Sequence, residues 1–249
     1  MTDIHCHILP EVDDGSFDMV CSIEMAEMAV ESGVEAMIAT PHCNQRGYFE
    51  NYASEELLGR FRALKSELKR SDVLLELYLG MEVFGTEDAA ELYRDGMLLT
   101  LNGGRYMLTE FDFGAEAHFM DTVLYSLMNA GCTPVVAHPE RYVALQYSYG
   151  IVEKWLGDGM GIQLNKGSFS GRFGRGAKRL AYELLAQGLV TCIASDAHGV
   201  TTRTPDLGDI YEFLAMEYSP ELAELLLKEN PRRILESKPL VKAQEIQLL

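Results

Sequence analysis

Short apolar runs rich in Ile, Val and Leu alternate along the chain with longer amphipathic stretches, and this exchange of patterns constrains the fold more than any other feature. Seven candidate strands end near Ile4, Ala39, Leu79, Leu108, Ala137, Leu164 and Ala194, at intervals of 27 to 40 residues. Each interval holds one strand and one returning helix, the crossover that parallel strands require. The chain is therefore read as an α/β fold. Its helices mark their own ends. Ser22–Ser32, with Ile23, Ala26, Met28 and Ala29 inward, stops at Gly33; Met120–Ala130 stops at Gly131; Ala177–Gln187 stops at Gly188; Glu221–Lys228 meets a stop signal in Asn230-Pro231. No linker or low-complexity stretch divides residues 1–249, so a single domain is expected. Seven βα units most simply close into a TIM-like barrel, although an open doubly wound sheet satisfies the same pattern.

Charge narrows the partners. With 21 Lys+Arg against 38 Asp+Glu the net charge is −17, which repels nucleic-acid backbones and anionic lipid headgroups. No Lys or Arg precedes Arg46 and no apolar run nears the roughly 20 residues of a membrane span, so neither a signal peptide nor membrane insertion is expected. The five cysteines, Cys6, Cys21, Cys43, Cys132 and Cys192, form no C-x-x-C pair, which fits a reducing cytoplasm better than a disulfide framework. None is followed six positions on by arginine, and no nucleophile elbow or P-loop is present.

The chemistry lies at the strand ends, the face on which α/β enzymes build their sites. Five of six histidines fall there: His5, His7, His42, His138 and His198. Residues two apart in a strand share a side, so His5 and His7 can grip one ion. Glu82, Glu110 and Asp196 occupy other strand ends, whereas strand six ends at the uncharged Asn165, better suited to orienting than ligating. Any one of these residues by itself reads more readily as a capped or solvent-facing side chain than as a ligand; their coincidence at one face reverses that and favours a metal site of Mn, Fe or Zn type with more than one ion. Cys6 and Cys43 are read as packing residues and His118, within a helix, as structural or rim. Arg141 and Arg203 follow His138 and His198 closely, and guanidinium forks beside a metal cluster suit an anionic substrate.

Asp3-Ile4-His5-Cys6-His7, Val12-Asp13-Asp14-Gly15, Ala39-Thr40-Pro41-His42, Ala137-His138-Pro139-Glu140-Arg141-Tyr142, Gln163-Leu164-Asn165-Lys166-Gly167-Ser168 and Ser195-Asp196-Ala197-His198 together resemble the polymerase-and-histidinol-phosphatase (PHP) superfamily. Within it they are most similar to the manganese-dependent tyrosine-protein phosphatases of bacterial capsule and exopolysaccharide machinery. The resemblance implies a distorted (β/α)7 barrel holding three divalent ions, manganese first among Mn, Fe, Zn and Mg. It assigns His5, His7, Glu82 and Asp196 to one ion, Glu82 with Glu110 and His138 to a second, and Asp14, His42 and His198 to a third. It counts Arg141, Arg203, Asp196 and His198 in the catalytic centre, with the arginines clamping phosphate. The implied substrate is phosphotyrosine on a bacterial tyrosine kinase, and a homo-oligomer is compatible with it.

Two departures concern the rim: Phe111-Asp112-Phe113-Gly114 stands where the family usually has Phe-Pro, and Cys6 occupies a slot often filled by Ser. Asn44–Tyr52 and Gly167–Gly176 are candidate rim segments, with Tyr48, Phe49, Phe169 and Phe173 as stacking or packing aromatics. Competing readings are a histidinol-phosphate phosphatase, sharing every ligand, an amidohydrolase, which would usually bridge its metals through lysine, and a non-catalytic metal-binding module.

Overall fold

The computed structural model describes residues 1–246 and contains nine short strands rather than seven. They are β1 (Thr2–Cys6), β2 (Ala36–Ala39), β3 (His42–Cys43), β4 (Glu76–Leu79), β5 (Glu82–Phe84), β6 (Tyr106–Glu110), β7 (Thr133–Ala137), β8 (Gly161–Asn165) and β9 (Cys192–Ala194). All pairings are parallel, in a three-stranded sheet β1-β2-β4 and a six-stranded sheet β3-β5-β6-β7-β8-β9.

The two extra strands arise because two passes of the chain are interrupted. Between β2 and β3 lies Pro41, which has no N–H to give a ladder. Between β4 and β5 lies Gly80, where a Cβ would meet the Leu101 side chain at 2.8 Å and its Cα at 3.2 Å. Each interrupted pass contributes to both sheets, and the amides of Gly80 and Glu82 still donate across the gap to the carbonyls of Ala39 and Pro41. At the other seam Cys6 and Ala197 form a parallel bridge, flanked by Asp196 N–H to His5 C=O and His7 N–H to Ala197 C=O, both 2.9 Å. The strand ends on both sheets thus meet on one side.

The helices obey their anticipated stops in three of four cases. Gly33, Gly131 and Gly188 all adopt positive φ just past helices Met19–Glu31, Ala117–Asn129 and Gly174–Ala186. In the first helix the buried face is Cys21, Ser22, Met25, Ala26 and Ala29, within which Ser22, Met25, Ala26 and Ala29 follow the i, i+3, i+4, i+7 pattern. Ile23 and Met28 flank it half-buried instead of facing inward. The stop at Asn230-Pro231 does not occur: Pro220–Glu224 runs through a π turn, Leu225–Glu229, into Asn230–Leu235. Pro231 occupies the first turn of that last segment, where its missing N–H leaves no broken bond.

Apolar burial separates into two clusters. The larger packs helices onto strands around Trp155, Tyr142 and Phe111. The smaller joins Ile4, Ile38, Leu108 and Val135 from the strands to Leu101, Tyr106 and Ile234. Among the described residues no helix is long and apolar enough to cross a membrane.

Candidate metal centre

His5 and His7 leave β1 on one side, with their Nε2 atoms 3.2 Å apart, as strand alternation requires. Their outer nitrogens are fixed. His5 Nδ1 lies 2.9 Å from Gln163 Oε1, which can only accept, so the imidazole donates there and Nε2 keeps its lone pair. Gln163 is itself oriented by donating to Asn165 Oδ1 at 2.8 Å. His7 Nδ1 donates to Asp13 Oδ2 at 2.7 Å. Both rings therefore aim a lone pair at the same point, the second-sphere arrangement that prepares imidazoles for a metal.

That point is ringed by carboxylates. Glu82, opening β5, sets Oε1 3.2 Å from His5 Nε2 and Oε2 3.2 Å from His7 Nε2. Asp196 Oδ1 lies 3.3 Å from His5 Nε2 and 3.5 Å from His7 Nε2. All four side chains are buried. On the outer side, His42 Nδ1 approaches Glu110 Oε1 at 2.8 Å and Glu82 Oε2 at 3.0 Å. Asp14 Oδ1 sits 3.4 Å from the Nε2 atoms of both His42 and His198. The turn carrying Asp13 and Asp14 can close this tightly because residue 15 is glycine: a Cβ there would stand 2.1 Å from the His7 carbonyl oxygen.

Ligand atoms converge within 4.8 Å in three groups: His5, His7, Glu82 and Asp196; His7, Asp14, His42 and His198; and His42, Glu82 and Glu110. The first matches the set implied by the resemblance. In the other two, His7 joins the outer group and His42 takes the place beside Glu82 and Glu110 assigned to His138. His138 Nε2 instead contacts Glu82 Oε1 at 2.9 Å and stays 3.9 Å from Glu110. All nine residues nevertheless share one cleft.

The donor set fits divalent ions by an internal criterion. Buried polar atoms without a well-aligned hydrogen bond are costly, and among the described residues they are His42 Nδ1, Glu82 Oε2, His138 Nδ1, Glu140 Oε2, Asp196 Oδ1 and His198 Nε2, several of them crowded by charged neighbours they do not bond with good geometry. Four of the six belong to the three convergent groups. Titration tells the same story. Burial resists charge on His42, but Glu82 and Glu110 overcome it and lift the imidazole to about 10. Burial together with nearby Glu82 raises the Glu110 carboxyl. Burial, reinforced by Arg141, drops His138 to about 4 despite its hydrogen bond to Glu82, leaving it neutral. Backbone strain collects at the same place: His138, Asp196 and Arg203 all have φ between 35° and 51°.

Both arginines meet Asp196. Arg203 Nη2 reaches Oδ1 at 2.6 Å and Arg141 Nη1 reaches Oδ2 at 3.3 Å, while Asn165 Nδ2 donates to Oδ2 at 2.5 Å. Arg141 is also sandwiched, its guanidinium carbon 4.3 Å from the Phe113 ring centre and 4.2 Å from that of Phe173. Of the rim aromatics, Phe49 stacks on His42 at 5.2 Å, Tyr48 is exposed, and Phe169 packs inward on Tyr182 and Phe213.

Cys6 and Cys43 are buried in the packing cluster, and His118 is exposed in the first turn of its helix. Sequence reading passed over Asp13, Gln163 and Phe113. Gln163 was detectable, because it lies two residues before Asn165 on the same strand face; Asp13 differs from Asp14 only through the turn.

A model of the family described as "Capsular polysaccharide synthesis, CpsB/CapC" matches residues 1–236. The chain belongs to the CpsB/CapC family. It is 35% identical to the tyrosine-protein phosphatase YwqE of Bacillus subtilis over 240 residues, covering 96% of this chain and 92% of that protein. A crystal structure described as one of YwqE from Bacillus subtilis and CpsB from Streptococcus pneumoniae, "unique metal-dependent tyrosine phosphatases", superposes with a TM-score of 0.89 at 33% identity, covering 97% of both chains. The phosphotriesterase homology protein of Escherichia coli, at 12% identity and a TM-score of 0.54 over 93% of this chain and 97% of that one, shares the fold alone.

Proposed function

We propose that this CpsB/CapC chain is a metal-dependent protein-tyrosine phosphatase, acting in the cytoplasm on phosphotyrosine of a bacterial tyrosine kinase that controls capsule or exopolysaccharide synthesis. The observation that carries the reading is the meeting of nine His, Asp and Glu side chains with two arginines in one cleft, in a family whose relatives bear that activity. We read residues 1–249 as one phosphoesterase domain. Its interrupted passes β2–β3 and β4–β5 each count once, making seven staves of a distorted (β/α)7 barrel.

His5, His7, Asp14, His42, Glu82, Glu110, His138, Asp196 and His198 would hold three divalent ions, manganese first. When bound, such ions supply Lewis-acid charge for a phosphoryl group and acidify water. The protein's own work is to position. Gln163 and Asp13 keep the β1 imidazoles in the ligating tautomer. Asp196 would be among the groups holding the ions, and the forks of Arg141 and Arg203, which converge on it, are placed to grip non-bridging phosphate oxygens. The facing rings of Phe113 and Phe173 keep Arg141 aimed as that charge develops. A tyrosine leaving group has a pKa of about 10, so little proton donation is demanded of the chain.

No cysteine serves as nucleophile. All five are buried, and burial pushes Cys43, Cys132 and Cys192 up to about 12. The test is phosphate release after chelation and again after adding Mn²⁺, from a phosphotyrosine peptide and from histidinol phosphate. Manganese-dependent release from the peptide is expected. Release from histidinol phosphate alone would move the protein to small-molecule metabolism, and silence on both would sink the enzymatic reading.

A further inference from the structure

A chain of net charge −17 must still admit a dianionic substrate. Acidic residues are spread along most of it, and the longest run without Asp or Glu, between Asp158 and Glu183, is also the one that holds Lys166, Arg172, Arg175, Lys178 and Arg179. The structure puts this segment against the metal cleft. Phe173 stacks on Arg141 and lies 5.9 Å from Arg203, and a Cβ on Gly167 would meet Phe173 at 3.1 Å and Arg172 at 3.3 Å. Phe173 and Arg172 therefore fold back together over the residue two positions past Asn165, itself a partner of Asp196.

The cations are not equally engaged. Lys166 is tied to Asp209 and the Asp206 carbonyl, and Arg179 to Glu183. Arg172 and Arg175 are exposed and make no ion pair among the described residues. Arg172, adjacent to the Phe173 that covers Arg141, and Arg175, two residues beyond Phe173, thus lie with the likewise unpaired Lys178 in the longest acid-free run of an acidic chain. We infer that this ridge docks acidic residues flanking the phosphotyrosine, so that the substrate class is acidic phosphopeptides rather than phosphotyrosine in any context. The inference rests on the phosphatase reading for its target. Two arginines match a few carboxylates of a short peptide, whereas a long polyanion would run onto the acidic remainder of the surface.

The test uses Mn²⁺-loaded protein and two fluorescent peptides bearing the non-hydrolysable phosphonomethyl-phenylalanine, one flanked by glutamates and one by serines. Anisotropy should show about tenfold tighter binding of the glutamate peptide, the gap narrowing as salt is raised. Arg172→Ser combined with Arg175→Ser should close that gap. Equal affinity for both peptides in the parent protein, or a gap that survives the double substitution, would overturn the proposal. Phenyl phosphate hydrolysis is measured in parallel and should be the same in both proteins. Its absence from the parent would remove the phosphatase reading, while the anisotropy comparison would still report on the ridge.

Discussion

The inner and outer halves of the cleft use the same side-chain types but hold them differently. His5, His7, Glu82 and Asp196 are all buried, and three of them have a buried partner on the atom facing away from the centre: Gln163, Asp13 and Asn165. Asp14 is 52% exposed and His42 is 13% exposed at the side chain, and neither has a comparable buried anchor for its ring or carboxylate. The difference teaches that preorganisation is concentrated on the floor. The side chains there are aimed in the absence of an ion, whereas those of the outer group would have to be gathered by one.

The sharpest way to break this contrast is to remove Asp196. Asp196→Ala takes away the carboxylate on which His5, Arg141, Arg203 and Asn165 converge, and activity should fall to background while circular dichroism stays unchanged. Substituting the outer carboxylate, Asp14→Ala, should lower bound manganese without emptying the cleft. If elemental analysis instead found complete loss, the two halves would be one cooperative site.

Asp13→Asn tests the floor's anchoring, since it keeps shape and removes only the charge that holds the His7 tautomer. A loss of about 10- to 100-fold in metal affinity or turnover is expected. Gly15→Ala should act on the same turn through sterics, with a destabilisation of about 1–3 kcal/mol visible as a lower thermal midpoint.

Acidification probes both halves at once. Ligation needs a neutral imidazole, and His42, lifted to about 10 by Glu82 and Glu110 against the pull of burial, holds its proton more strongly than an ordinary histidine. On the floor burial likewise resists charge on His7, but Asp13 raises it well above the usual imidazole value, so metal affinity should rise with pH in both halves; metal content measured at pH 6 and pH 8 would show it. The smallest effect expected is at Arg141. Phe173→Leu removes one face of its aromatic sandwich, worth about 0.5–1 kcal/mol, and should raise KM a few-fold with kcat nearly unchanged.

How much of this was legible beforehand follows from the range of each interaction. The H-x-H pair on β1 was readable because alternation along a strand is local. The helix stops at Gly33, Gly131 and Gly188 were readable because a left-handed φ is a property of one residue. The stop at Pro231 was misread, since a π turn upstream removed the conflict that proline normally creates. The grouping of His42 with Glu110 and the displacement of His138 toward Glu82 depend on how β3, β5 and β7 are staggered, which no local pattern encodes.

Sequence by itself determined which chemistry the chain can carry: histidines and carboxylates at successive strand ends, no cysteine followed six positions on by arginine, two arginines close behind ligands, and βα repeats that bring those ends together. Only the tertiary structure decided which donors converge, that Asp196 gathers both arginines, and that an acid-free segment borders the cleft. The reason is physical. Residue type and periodicity set local geometry, whereas ligand grouping and surface potential depend on distances of a few ångströms between segments more than a hundred residues apart, and packing alone sets those.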